Sequence, residues 1–155
     1  MSDCARWPTL KIAGIARSTG DREGPSPGTV VAKRRGMRSD LDLLEGRTKQ
    51  FTISVIGLCI ALEALPGLRQ LAWQLNDSAG SVGSNHRAMR RARSDREFAA
   101  KLQIVNEEID ESVFWMEVAD AIHPGGAKEL PALLCEGIEL RSIFAKARAT
   151  MRARQ

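Results

Sequence analysis

The sequence predicts an all-α protein, an up-down antiparallel four-helix bundle that follows a disordered N-terminal tail. Apolar residues recur at intervals of three and four along most of the chain from Met37 onward, which is the period of an α-helix. Aromatic residues make up only 5% of the 155 residues, whereas Leu, Ala, Arg and Glu are abundant, which favours helix over strand. Proline-glycine pairs and a capping motif divide the region into four segments. Their short connections predict antiparallel packing of neighbours.

Residues 1–36 are predicted to be the disordered tail, and residues 37–155 the bundle. The tail holds seven Lys/Arg and three Asp/Glu, a net charge of +4, which equals the net charge of the whole chain. The bundle is therefore neutral, and the tail accounts for the high pI of about 9.3. "GPSPG" at 24–28 interrupts both helices and strands. The tail has no apolar stretch long enough for a signal peptide or a membrane span. Met37 is a candidate start, which would make residues 1–36 an upstream extension.

The residues that usually carry chemistry are sparse. Three widely spaced cysteines without a signal peptide predict a reducing compartment, the cytoplasm. The two histidines and the cysteines show no zinc-ligand spacing, so we expect no metal site. The densest acidic group, residues 107–111, lacks the histidine partners of di-iron bundles, and no nucleophile is paired with a base. We therefore predict no catalytic residue, no cofactor and no enzymatic activity.

The first helix is predicted to begin near Ser39 or Asp40, whose side chains can accept hydrogen bonds from exposed amides, and to end at Pro66-Gly67. Its main apolar face consists of Leu44, Phe51, Val55, Leu58, Leu62 and Leu65. A second apolar stripe on the same helix consists of Ile53, Ile56 and Ile60. A helix that is apolar on two sides is buried on two sides, so this one is expected to lie centrally or to face another subunit.

The second segment continues the helical period from Leu68 to Met89, but its middle, "SAGSVGS", is rich in small residues. Gly80 and Gly83 each cost about 1 kcal/mol relative to Ala inside a helix. Small side chains also let a neighbouring backbone approach closely, which could offset that cost. We expect a continuous helix, and a loop or kink is the alternative.

The third segment opens with "SDRE", in which Ser94 and Glu97 have the spacing of a capping box. Its apolar face consists of Phe98, Leu102, Val105, Ile109, Val113, Met116 and Ala119. "HPGGA" at 123–127 ends it, and the fourth helix is predicted to start near Glu129, with Pro131 tolerated in its first turn. The fourth apolar face is predicted to consist of Leu134, Ile138, Ile143, Phe144, Ala147 and Met151.

The stretch "SVGSNHRAMRRARS" at 81–94 is the main candidate for a binding site. Spacings of three and four residues predict that Arg87, Arg90, Arg91 and Ser94 project from one helix face. The candidate nucleic-acid-binding residues are Arg87, Arg90, Arg91, Arg93, Arg96 and Lys101. Arginine forks match phosphate oxygens, and rotational repetition in an oligomer would multiply the contacts. The alternative is that these cations pair with the acidic residues 107–111 of an adjacent subunit. His86 and Asn85 are expected to form a satisfied polar pair in the core.

Three blocks, "LEGRTKQFTISVIGL", "LAWQLNDSAGSVGSN" and "REFAAKLQIVNEEIDESVFWMEVADA", resemble in order and spacing a family of four-helix-bundle proteins encoded in intervening sequences of 23S ribosomal RNA genes. The resemblance covers residues 41–150. It implies a homopentamer without catalytic activity that associates with RNA or a nucleoprotein. Relatives of that family include accessory proteins of diversity-generating retroelements, which implies a reverse transcriptase as a partner. Here "HRAMRRARS" follows Asn85, where the family carries an acidic residue, so no role of that residue is transferred.

Overall fold

The computed structural model describes the backbone of residues 27–153 and the side chains of residues 40–153. It contains four α-helices: α1 (Pro27–Glu63), α2 (Arg69–Arg90), α3 (Asp95–Ile122) and α4 (Leu130–Arg152). Each helix packs against the next in the chain, and α4 returns to pack against α1. The described residues form no strand. The prediction of an all-α four-helix bundle is therefore confirmed.

The start of α1 differs from the prediction. The helix begins at Pro27, so Ser39 and Asp40 lie inside it and do not cap it. A proline fits the first position of a helix because its amide hydrogen would have no partner there and its φ angle is already helical. Residues 27–36 of the predicted tail thus belong to α1, and residues 1–26 lie outside the described part of the chain.

The core confirms most of the predicted apolar faces. The buried apolar side chains include Leu44, Phe51, Val55, Leu58 and Leu62 of α1, Leu71, Leu75 and Val82 of α2, Leu102, Val105, Ile109 and Met116 of α3, and Leu133, Leu140, Ile143 and Phe144 of α4. The face of α4 was predicted wrongly in its first half, because Ile138 is 41% exposed whereas Leu133 and Leu140 are buried. Gly137 turns inward there, and a Cβ at that position would lie 3.0 Å from a methyl group of Val113.

The second apolar stripe of α1 remains on the surface. Ile53, Ile56 and Ile60 are 51%, 38% and 72% exposed. A central position for α1 is therefore wrong for the single bundle. The other expectation, that this stripe faces another subunit, stays a prediction.

The small-residue segment of α2 is helical throughout, which confirms the continuous helix. A Cβ on Gly83 would lie only 2.6 Å from Thr52 Oγ1, so the glycine permits close contact with α1. Thr52 Oγ1 donates to the carbonyl of Ala79 at 3.1 Å, and Ser78 and Ser112 join α2 to α3 through a buried hydrogen bond of 3.0 Å. Short polar side chains thus take part in the contacts of α2 with both of its neighbours.

A buried ion pair, which no sequence pattern predicted, connects α1 with α4. Arg47 Nε donates to Glu136 Oε1 at 2.8 Å and Arg47 Nη2 to Glu136 Oε2 at 2.7 Å, so the contact is bidentate. The two side chains are only 4% and 0% exposed. Glu139, which is 38% exposed, adds a second carboxylate 3.0 Å from the same Nη2. Burial raises the pKa of Glu136, and the ion pair with Arg47 opposes that rise.

The two ends of the bundle differ in composition. At one end, the α1–α2 and α3–α4 connections meet, where His123 Nε2 lies 3.3 Å from the carbonyl oxygen of Pro66. At the other end, the α2–α3 connection lies beside the C-terminal part of α4, and we call this the basic end.

None of the four described helices combines the length and hydropathy that a bilayer-spanning helix requires.

We expect Glu136→Gln to lower the free energy of unfolding by about 3 kcal/mol, because it leaves a buried guanidinium without its main counter-charge. The matched control, Glu139→Gln, removes the more exposed carboxylate from the same arginine and should cost roughly 1 kcal/mol or less. Urea unfolding of both variants measures these losses. Equal small losses would show that the buried pair is not what holds α4 against α1.

Candidate nucleic-acid interface

The turn between α2 and α3 is short and firmly held. The amides of Arg91 and Ala92 donate to the carbonyls of Ala88 and Met89 at 3.0 and 3.1 Å, which closes the last turn of α2. The Ala92 side chain is buried, so the turn is anchored to the core. The arginines around it therefore project from a defined backbone.

The predicted capping box at the start of α3 is half confirmed. Ser94 Oγ accepts a hydrogen bond from the Glu97 amide at 3.1 Å, as predicted. The Glu97 carboxylate, however, accepts from the amide of Arg93 at 2.9 Å, one residue before the position that a capping box uses. Both side chains of the motif are thus engaged in holding the corner.

The six predicted binding residues fall into two groups. Arg87, Arg91 and Arg96 are exposed and form no ion pair or hydrogen bond with any described residue. Arg93 is also exposed, and its Nε lies 3.8 Å from Glu97 Oε2, a distance typical of a weak surface pair. The other two, Arg90 and Lys101, are held by partners within the chain.

Arg90 is a structural residue in this bundle. Its Nη2 lies 2.7 Å from Asp42 Oδ1 and its Nε 3.3 Å from Glu45 Oε2, so it joins α2 to α1. Lys101 Nζ donates to Asn85 Oδ1 at 3.0 Å and joins α3 to α2. Each residue turns a helix by about 100°, which directs Arg90 toward α1 while Arg87 and Arg91 point outward.

The prediction of one shared face for Arg87, Arg90, Arg91 and Ser94 is therefore wrong. Helix α2 ends at Arg90, so the helical spacing does not extend to Ser94, which caps α3 instead. Arg87, in the last turn of α2, and Arg91, directly after the helix, are both exposed. Together with Arg93 and Arg96 they form a set of open cations, which we call the corner arginines.

The predicted pairing of His86 with Asn85 does not form. Asn85 Nδ2 donates to the carbonyl of Ser81, and its oxygen accepts from Lys101. His86 is 2% exposed and its ring packs against Phe144 with centroids 5.5 Å apart. Burial, aided by the nearby charge of Arg90, lowers the pKa of His86 to about 4. It is therefore a neutral core residue near pH 7.

The acidic group of α3 has its own neighbours within the chain. Asp110 pairs with Arg141 at 2.8 Å, Glu111 accepts from the indole nitrogen of Trp115 at 3.0 Å, and Glu107 accepts from Gln103. Burial and then the adjacent carboxylates raise the pKa of Glu108. In the part of the chain that is described, no group of three His, Cys, Asp or Glu side chains could hold a metal ion.

Cys59 also lacks the properties of a reactive group. It is buried, and burial raises the pKa of its thiol to about 12, so the thiol stays protonated at neutral pH.

A groove of about 390 Å³ lies near Cys59, between α1 and α4. The residues that line the groove are Ser54, Gly57, Leu58, Ala61, Glu129, Ala132 and Leu133. Its single charged side chain gives it no arrangement typical of a catalytic site.

Comparisons with known proteins support the fold alone. No family model matches the chain, and no curated protein matches it. Among solved structures, it is similar to a protein of unknown function from the S23 ribosomal protein family of Bacteroides thetaiotaomicron. The two share 19% sequence identity with a TM-score of 0.62, over 68% of this chain and 97% of that one. At this identity the similarity shows a shared helical architecture and carries no information on ligands.

We expect His86 to make the bundle less stable as the pH falls. The unfolded chain binds a proton on this ring near pH 6.5 but the folded chain only near pH 4, so the free energy of unfolding falls across that window, by roughly 3 kcal/mol in all. His86→Leu should flatten this part of the curve, whereas His123→Gln, at the opposite end, should not. Unfolding free energies measured at several pH values test this, and parallel curves for wild type and His86→Leu would contradict it.

Proposed function

We propose that this protein is a non-enzymatic homo-oligomer of four-helix bundles that binds RNA or a nucleoprotein through its corner arginines. The observation that carries the proposal is that Arg87, Arg91 and Arg96 are exposed on a rigid corner and have no acidic partner among the described residues. Guanidinium groups of this kind bind phosphate oxygens in paired hydrogen bonds. A single corner offers few contacts, so we expect an oligomer to provide useful affinity.

The family resemblance of the sequence supports the same proposal. The structural neighbour belongs to a family named for a ribosomal protein, which agrees with an RNA-linked setting. We propose that the chain belongs with the proteins encoded in intervening sequences of 23S ribosomal RNA genes, which would make the oligomer a pentamer. The related retroelement proteins make a reverse transcriptase our proposed nucleoprotein partner.

A second candidate function is a protein-interaction scaffold that makes no contact with nucleic acid. The exposed apolar side chains favour it, since Ile53, Ile60, Phe114 and Ile122 are each more than half exposed. Arg90 also shows that arginines of this stretch can pair with carboxylates. In that case the corner arginines would pair with acidic side chains of a neighbouring subunit.

Replacing Arg87 and Arg91 with Gln should weaken binding of a mixed-sequence RNA oligonucleotide by about tenfold at 0.1 M salt. The slope of log K against log salt should become shallower by about two, one for each lost phosphate contact. Arg90 is left intact because its loss would disturb the α1–α2 contact. The matched control is Arg69→Gln with Lys128→Gln, which removes the same charge at the opposite end.

Light scattering on the same variants separates the two candidate functions. RNA binding predicts that the Arg87 and Arg91 variant keeps its oligomeric state while affinity falls. Dissociation into smaller species would instead show that these arginines bridge subunits. If the variant keeps both its RNA affinity and its oligomeric state, Arg87 and Arg91 serve neither function.

The apolar stripe of α1 should hold the oligomer together. Ile53→Ser with Ile60→Ser should yield monomers in light scattering, because these side chains have no apolar cover within one bundle. The thermal midpoint of the monomer should change little, since both residues are exposed in it. Ile122→Ser, also exposed but on α3, is the control that should stay assembled. An unchanged oligomer in the double variant would exclude the stripe as the interface.

A further inference from the structure

A second set of cations lies at the basic end, on the face where α3 and α4 meet. Arg141 Nη1 donates to Asp110 Oδ1 at 2.8 Å, and this pair marks the face on both helices. Seven residues make almost two full turns, so Arg148 lies on the same face of α4 and Arg152 follows one turn later. By the same spacing, Gln103 and then Arg96 lie on the matching face of α3.

The antiparallel register determines what stands opposite these arginines. Asn106 Nδ2 donates to the carbonyl of Phe144 at 3.1 Å, in agreement with the register of the Arg141–Asp110 pair. Counting from that pair along both helices places Gln103 opposite Arg148 and Ala99 opposite Arg152. Where Arg141 pairs with a carboxylate, the register thus places a glutamine, whose amide donates to Glu107, and an alanine opposite the next two arginines of the face.

Helix electrostatics accounts for Arg152 but not for Arg96, and ion pairing accounts for none of the three arginines. Among the described residues, no carboxylate pairs with Arg96, Arg148 or Arg152. The negative end of the α4 dipole would favour Arg152, but Arg96 lies in the first turn of α3, where the dipole disfavours a cation. An exposed cation that opposes the local field and has no partner in the described chain is available to an external anion.

We propose that Arg96, Arg148 and Arg152 form a second phosphate-binding patch, which extends the site of the corner arginines around the basic end onto α4. Its ligand is the phosphate backbone of RNA, so this inference rests on the proposed function. Arg96 belongs to both groups and connects them. The patch assigns a role to the C-terminal turns of α4, which lie far from the corner in sequence but beside it in the fold.

The test uses the full chain and the mixed-sequence RNA oligonucleotide described above. Arg148→Gln with Arg152→Gln should weaken binding by about tenfold at 0.1 M salt and make the salt slope shallower by about two. The charge-matched control is again Arg69→Gln with Lys128→Gln. A second variant, Gln103→Glu, keeps both arginines but places a carboxylate opposite Arg148, and it should weaken binding severalfold. Gln70→Glu, at the opposite end, is its control.

The outcomes distinguish this inference from the proposed function. If the Arg87 and Arg91 variant loses affinity while the α4 variant matches its control, the patch is excluded and the corner site stands. If wild type binds no RNA, both proposals fall. Equal competition by polyglutamate and RNA would show a patch for acidic protein and overturn the assignment to RNA. Thermal unfolding of each variant verifies that the bundle is intact.

Discussion

The ion pair between Arg47 and Glu136 is the contact on which closure of the bundle depends. Helices that are adjacent in sequence pack extensively against each other, but α4 meets α1 over a limited area, and a groove lined mostly by small side chains opens beside it. A bidentate contact with both partners buried has one good geometry, so it fixes how α4 is placed along α1. Such a pair is a weak source of net stability, because desolvation offsets the attraction, but it can specify register.

Most of the fold could be predicted because apolar periodicity and helix-ending residues are local signals. The faces of α1, α2 and α3, the continuity of α2 and the cap at Ser94 all follow from spacings within one segment. Arg47 and Glu136 were missed because a charged residue within a helix is usually exposed, and their burial results from a contact between positions 89 apart in the chain. The inward turn of Gly137 was missed for a related reason. A glycine contributes nothing to an apolar pattern, although here it lets Val113 approach.

The candidate site could be predicted in composition but not in geometry. All six cations lie near the α2–α3 corner. The sequence could not show, however, that Arg90 is held in ion pairs while Arg87 and Arg91 are exposed. That difference depends on where α1 lies around α2, and on Asp42 and Glu45 facing the same side. The sequence also could not predict that α4 contributes arginines to the proposed patch. Arg148 and Arg152 suit the C-terminal end of any helix, and only the register of α3 places a glutamine and an alanine opposite them.

The distribution of charge and apolar surface would connect the proposed assembly with the proposed RNA binding. Cations gather at one end of the bundle, while the exposed isoleucines of α1 lie along its side. An oligomer formed through that side, with the bundle axes parallel and related by rotation, would bring every basic end to the same face. Each subunit would then add its arginines to one continuous positive surface, and the number of phosphate contacts would grow with the number of subunits. In such an assembly a weak site on one bundle would become an effective one by repetition, so under the proposed function loss of assembly should weaken RNA binding even when every arginine is retained.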